Sequence, residues 1–198
     1  MEKYFPFDSF CGDRTYKSQD WVDYYKYFVT TGLCHDNGEV GLNLVAVNNY
    51  EITLSKGEAF ISGRNYVNTS DKSLIVNLAE DNMYRRDIIV LRCDTRMSAR
   101  DIKLMVLKGE PALTEEAAKA PEIIRSEFIY DLGLYTVLTR PQATSIRIDD
   151  ITDVRGQLEY CQLSNPRGFG GASLFRGPNE PPKQFTKSGD IWMDELEE

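Results

Sequence analysis

Asp87-Ile88-Ile89-Val90-Leu91-Arg92-Cys93 is followed, after a polar stretch over residues 94–100, by Asp101-Ile102-Lys103-Leu104-Met105-Val106-Leu107. Both runs are rich in β-branched and aliphatic residues, and their spacing is that of two antiparallel strands joined by a turn. Strands with one wet face alternate apolar and polar residues. The unbroken Ile88-Ile89-Val90-Leu91 instead predicts a strand covered on both faces, and so a hairpin at the centre of its sheet. Gly109-Glu110-Pro111 ends the second strand. Arg85, Arg86 and Arg92 lie close in sequence to Asp87 and Asp94, which predicts cross-strand ion pairs and a buried, fold-specific pair among them, with no catalytic arginine.

Upstream of this hairpin the chain reads as short β runs over residues 42–47, 50–54, 59–62, 66–67 and 74–78. They are separated by Asn48-Asn49, Ser55-Lys56-Gly57, Gly63-Arg64-Asn65 and Thr69-Ser70-Asp71. Such runs suit hairpins and leave no room for the crossover helices of a parallel nucleotide-binding sheet. Downstream, residues 114–125 read as an irregular connection interrupted by Pro121, and residues 128–138 and 144–148 as closing strands around a bend at Pro141. The expectation for residues 36–158 is therefore a mainly β domain, an antiparallel β-sandwich or barrel-like meander.

Two flanking regions complete the organisation. Within residues 1–35, Trp21, Val22, Tyr25, Phe28 and Val29 fall on one face of an amphipathic helix predicted over residues 18–31, with Ser18 as its N-cap and Gly32 as its left-handed stop. That aromatic stripe is read as core-facing. Tyr24 and Tyr27 fall toward the other side and are candidates for a subunit interface. Residues 159–198 turn to Gly, Pro, Asn and charge, the composition of an extended C-terminal arm without its own core. Its apolar residues Phe169, Phe175, Trp192, Met193 and Leu196 are further interface candidates, because isolated aromatics in such a tail dock on a surface.

Composition narrows the function classes. Hydrophobic residues make up 41% of the 198 and charged residues 27%, which suits one folded domain with a modest extension. A formal charge of −8 opposes binding to phosphate backbones, so nucleic acid is not an expected partner. No stretch has the apolar length of a membrane span, and the first ten residues are too polar and short for a signal peptide, which predicts synthesis and folding in a cytoplasm. Cys11, Cys34, Cys93 and Cys161 lack paired metal-ligand spacing and His35 is the sole histidine. No metal or cofactor is therefore expected, and the thiols are read as small hydrophobes. Cys34 and His35, adjacent beside an Asp-Asn-Gly turn, are poorly disposed to act as nucleophile and base. Gly168-Phe169-Gly170-Gly171 lacks the Lys-Ser/Thr of a phosphate loop and reads as a hinge. Asp149, Asp150 and Asp153, with Arg155 beyond, are read as turn caps or arginine partners.

Three segments carry a family resemblance. They are Phe5-Pro6-Phe7-Asp8-Ser9 through Gly12-Asp13-Arg14-Thr15-Tyr16 with the helix beyond; Arg86 to Asp94 with the ending Lys108-Gly109-Glu110-Pro111; and Pro141-Gln142-Ala143-Thr144-Ser145-Ile146 to Asp150-Ile151-Thr152-Asp153-Val154-Arg155. In this order, across residues 4–156, they resemble structural proteins of phages and prophages of Gram-positive bacteria, described as baseplate, tail-fibre or upper-baseplate N-terminal regions. The resemblance implies an oligomeric, non-enzymatic adaptor or wedge of the virion tail tip. Its partners would be other tail or baseplate proteins, and its contact with host-surface glycans indirect. It brings no catalytic residues. A carbohydrate-binding module stacking sugars on exposed tyrosines is the alternative, and a wall-degrading enzyme using Asp149 and Asp153 a third reading.

Overall fold

In the computed structural model the structure describes residues 2, 4–36, 39–77, 79, 82–166, 174–177 and 180–194. In chain order its elements are α1 (Ser18–Tyr25), β1 (Gly32–Leu33), β2 (His35–Asp36), β3 (Glu39–Val40), β4 (Leu44–Asn48), β5 (Glu51–Leu54), β6 (Gly57–Ile61) and β7 (Arg64–Asn68). There follow β8 (Lys72–Ile75), β9 (Arg85–Asp94), β10 (Asp101–Leu107), β11 (Ile129–Thr139), β12 (Ile151–Asp153), β13 (Leu174–Gly177) and β14 (Ile191–Asp194).

The predicted hairpin lies in the largest sheet, whose order is β10-β9-β11-β12 and whose pairs are all antiparallel; β9 is central as its unbroken apolar run predicts, but β10 is an edge strand with only Leu104 buried, so the inner pair is β9 and β11 and not the hairpin. Leu91 faces Leu104 on one neighbour and Leu132 on the other. Ile88, Ile89, Val90 and Leu91 are fully buried, each burial stabilising the fold by roughly 1.5–3 kcal/mol. Gly133 permits close packing, since a Cβ there would stand 3.0 Å from the Tyr160 ring, and the register shifts between Gly133 and Tyr135 so that Leu134 is accommodated as an extra buried residue.

Buried ions follow the prediction, with different partners. Arg85 and Asp87, both 1% exposed, form a fork of two bonds at 2.7 and 2.8 Å within one strand, and Asp87 also accepts the Gly109 amide at 2.9 Å. Arg92 makes the cross-strand pair, to Asp131 on β11 at 2.7 and 2.8 Å, while Asp94 turns to Arg96. Arg86 donates to the Ala118 carbonyl and so pins the irregular connection after β10.

Smaller sheets, β1-β6-β7, β4-β5-β8 and β2-β3, cover the inner face with Leu33, Val40, Ile52, Leu54, Ala59 and Ile61, which share one core with Ile89, Leu91 and Val137. Ser62 and Gly63, both at positive φ, make the tight turn between β6 and β7. The mainly antiparallel β class is as predicted. Among the described residues no sheet closes into a barrel.

Other expectations are corrected. The helix stops at Tyr25, not residue 31: Tyr27 and Phe28 make tighter bonds to Tyr24 and Tyr25, and the chain beyond is captured by residues 162–166. Thr30 and Asn165 exchange bonds at 2.8 Å, and Ser164 donates to the Leu33 carbonyl at 2.7 Å. Gly32 is accordingly a strand residue. A Cβ there would sit 2.4 Å from the Gln162 carbonyl oxygen, so close backbone approach, not a helix stop, requires glycine. The helix begins with the Lys17 amide bonded to Asp20 at 2.8 Å instead of a Ser18 cap.

Residues 144–148 form no strand. Ile146 is buried and bonds Asn49, but Ile148 is 65% exposed, leaving the run one side chain to bury. The closing strand is β12. The C-terminal region is fastened to the shared core: Cys161, Leu163, Phe175 and Phe185 join it, and β13 and β14 form a parallel pair. Widely spaced apolar anchors suffice to fasten a chain whose average composition looks extended.

Candidate functional site

The N-terminal segment and α1 build a shell of aromatic rings outside the core. Its hub is Phe5, whose ring meets those of Tyr16 at 4.6 Å, Trp21 at 4.7 Å and Tyr24 at 5.2 Å, all edge-on. Edge-to-face packing places the positive rim of one ring on the negative face of another. Two local devices hold this geometry. The Tyr16 hydroxyl donates to the Phe7 carbonyl at 2.8 Å and accepts the Phe7 amide at 2.9 Å, and Asp13 accepts the Phe10 amide at 2.7 Å across a turn with Cys11 and Gly12 at positive φ.

Val22 is the one apolar residue of α1 that is buried. The helix backbone rests on the β6–β7 turn, where a Cβ on Gly63 would lie 2.3 Å from the Val22 carbonyl oxygen. The reading of the aromatic stripe as core-facing is therefore overturned: Trp21 is 43% exposed, Tyr25 44% and Phe28 51%. Trp21 stacks on Tyr25 at 6.3 Å with the rings 27° apart, forming a continuous exposed aromatic face. Closely spaced exposed aromatics are what interfaces use.

On another side the segment and helix enclose an open cavity of about 850 Å3, lined by Tyr4, Phe5, Tyr16, Tyr24 and Tyr27. Its charged lining is Glu2, Asp20 and Asp23 against Lys26. Beside it, the Arg14 guanidinium lies 5.3 Å from the ring centres of both Tyr4 and Phe7.

Of the interface candidates read from sequence, Tyr24 is half-buried against Phe5 and Phe28, and Tyr27 is 77% exposed at the cavity. Trp192 and Met193 are exposed on β14 and stand far along the chain from the N-terminal shell. Phe175 is corrected: it is 1% exposed and packs on His35 at 5.1 Å, so a core position replaces the predicted interface. Phe169 and Leu196 lie outside the described residues. Sequence reading missed Tyr4, Phe5 and Phe10, although four aromatics within the first ten residues, Tyr4, Phe5, Phe7 and Phe10, were a signal for them.

The residues considered for chemistry have structural partners. Arg140 binds Asp150 at 2.8 Å, Arg155 binds Asp153 at 2.7 Å, and Arg147 approaches Asp149 at 3.5 Å, as the capping and pairing reading predicts. Burial, and then the charge of Glu58, push the Cys34 thiol up, the opposite of what activates a nucleophile. Cys93 and Cys161 are buried as predicted for small hydrophobes, whereas Cys11 is exposed. Among the described residues no group of three His, Cys, Asp or Glu side chains is arranged to hold a metal ion, and no helix is long and apolar enough to cross a membrane. No protein-family model matches the chain, and no curated protein sequence is significantly similar to it.

Proposed function

We propose that this chain is a structural, non-enzymatic subunit of a phage tail tip or baseplate, an oligomeric adaptor or wedge linking the tail to receptor-binding parts. The observation that carries the assembly part is the exposed aromatic group Trp21 and Tyr25, with Phe28 in the turn just beyond, mounted on a helix that commits a single apolar side chain, Val22, to the core. A helix in water gains stability by burying its apolar face, so one that leaves two large rings half exposed, with a third in the turn after it, is suited to meet another surface. The phage context rests on the three-segment resemblance. Exposed Trp192 and Met193 offer a second contact for neighbouring subunits.

The test is the solution mass of the purified chain across concentration, together with pull-downs against the tail proteins encoded beside its gene. Association is expected, and Trp21→Ala with Tyr25→Ala should weaken it by tenfold or more, since interface tryptophans and tyrosines commonly carry about 2 kcal/mol each. A strict monomer at high concentration that captures no tail protein would overturn the proposal.

A further inference from the structure

We infer that the cavity between the N-terminal segment and α1 receives a cationic side chain, arginine or lysine, presented by a loop of a basic neighbouring protein. The inference rests on the assembly reading and names the partner chemistry of a face separate from Trp21 and Tyr25. Three features converge. Tyr4, Tyr24 and Tyr27 supply aromatic lining, and a cation over a ring face is held by the ring quadrupole. Glu2, Asp20 and Asp23 outnumber Lys26 in the lining, and an ionised carboxylate that already accepts one bond, as Asp20 does from the Lys17 amide and Asp23 from the Gln19 side chain, can accept others. The same segment already holds a guanidinium, because Arg14 lies equidistant, at 5.3 Å, from the rings of Tyr4 and Phe7.

Charge also selects the partner. The chain carries a net charge of −8, so a second copy approaches this acidic recess with like sign, whereas a basic protein is drawn to it. The volume, about 850 Å3, exceeds one side chain and accommodates the loop that bears it. A neutral sugar can stack on the same rings, but gains nothing from the excess of carboxylates over Lys26.

The experiment is a calorimetric and NMR titration of the full chain with acetyl-Gly-Arg-Gly-amide, its citrulline analogue and chitotetraose, at low and high salt. The arginine peptide is expected to bind and to shift the resonances of Tyr24 and Tyr27. The citrulline analogue should bind at least tenfold more weakly, and salt should weaken the arginine complex. Asp23→Asn and Tyr27→Ala should each reduce affinity about threefold to fivefold. Glu2→Gln, outside α1, supplies a further variant that leaves the helix untouched. Equal binding of arginine and citrulline peptides, no binding of the arginine peptide, or indifference of all three variants overturns the inference. Chitotetraose binding without arginine binding would assign the cavity to glycans. Because solution mass and pull-downs read assembly separately, loss of arginine binding in a chain that still associates removes this inference alone.

Discussion

The central sheet and the N-terminal shell use the same kinds of side chain to opposite ends. In the sheet, apolar residues of β9 and β11 are buried from both sides and two guanidinium groups of β9 are forked onto carboxylates, Arg85 on Asp87 and Arg92 on Asp131. In the shell, rings pack on rings around Phe5, a guanidinium lies on aromatic faces, and much of the apolar surface stays in water. Removing water around a charge pair makes each partner indispensable to the other, while partial exposure makes each shell contact replaceable. Stability should therefore concentrate in the sheet and recognition in the shell.

The largest effect is expected at Asp87. Asp87→Ala removes the carboxylate that neutralises the buried Arg85, which keeps its bond to the Asn77 carbonyl, and takes the side-chain acceptor from the Gly109 amide, so urea denaturation should record a loss of about 3–5 kcal/mol. A loss below about 1 kcal/mol would mean that water reaches Arg85, and the contrast with the shell would fail.

That contrast was only half legible in the sequence. Ile88-Ile89-Val90-Leu91 announced a doubly covered strand because burial on both faces abolishes alternation. The partner of Arg92 was not legible, since Asp131 lies on a strand brought alongside only by the fold. The Trp21–Phe28 stripe was misread for a related reason: periodicity reveals that a helix has an apolar face, but not which surface covers it. Gly32 likewise looked like a helix stop until the backbone of residues 162–164 was seen against it. The shell itself was foreshadowed by the early aromatics, yet only the arrangement of Tyr16 on Phe7 and of Phe5 on three rings makes a site of them.

Titration offers an intermediate test of the sheet side. Burial pushes Tyr135 up to about 12, its hydroxyl donating to the Leu42 carbonyl, and burial pushes Cys161 up to about 12 as well. Both groups stay protonated in the folded chain after the unfolded chain has begun to lose protons. Stability is thus fully present below about pH 9 and should fall progressively as pH rises toward 12. Asp94 works the other way: its bond to Arg96 holds it down to about 2, so its contribution is present above about pH 4 and is lost as pH falls toward 2. Thermal unfolding across pH checks both limbs, and Tyr135→Phe should flatten the alkaline one. An alkaline limb of unchanged steepness in Tyr135→Phe would remove this tyrosine from the account.

The smallest global effect is expected at Phe5, and it divides the two regions most sharply. Phe5→Ala deletes the ring that touches Tyr16, Trp21 and Tyr24, contacts worth about 0.5–1.5 kcal/mol apiece when they act within a cooperative unit. Those partners are themselves exposed or half-buried and reach the core through Val22, so the loss should be confined to local opening of the shell. Urea denaturation is expected to register about 1 kcal/mol or less, while amide exchange at Phe7 and Phe10, whose N–H groups are bonded within the shell, accelerates about tenfold. A global loss comparable to that of Asp87→Ala would show instead that shell and sheet unfold as one unit. The exposed rings would then belong to the stability of the chain as much as to its surface.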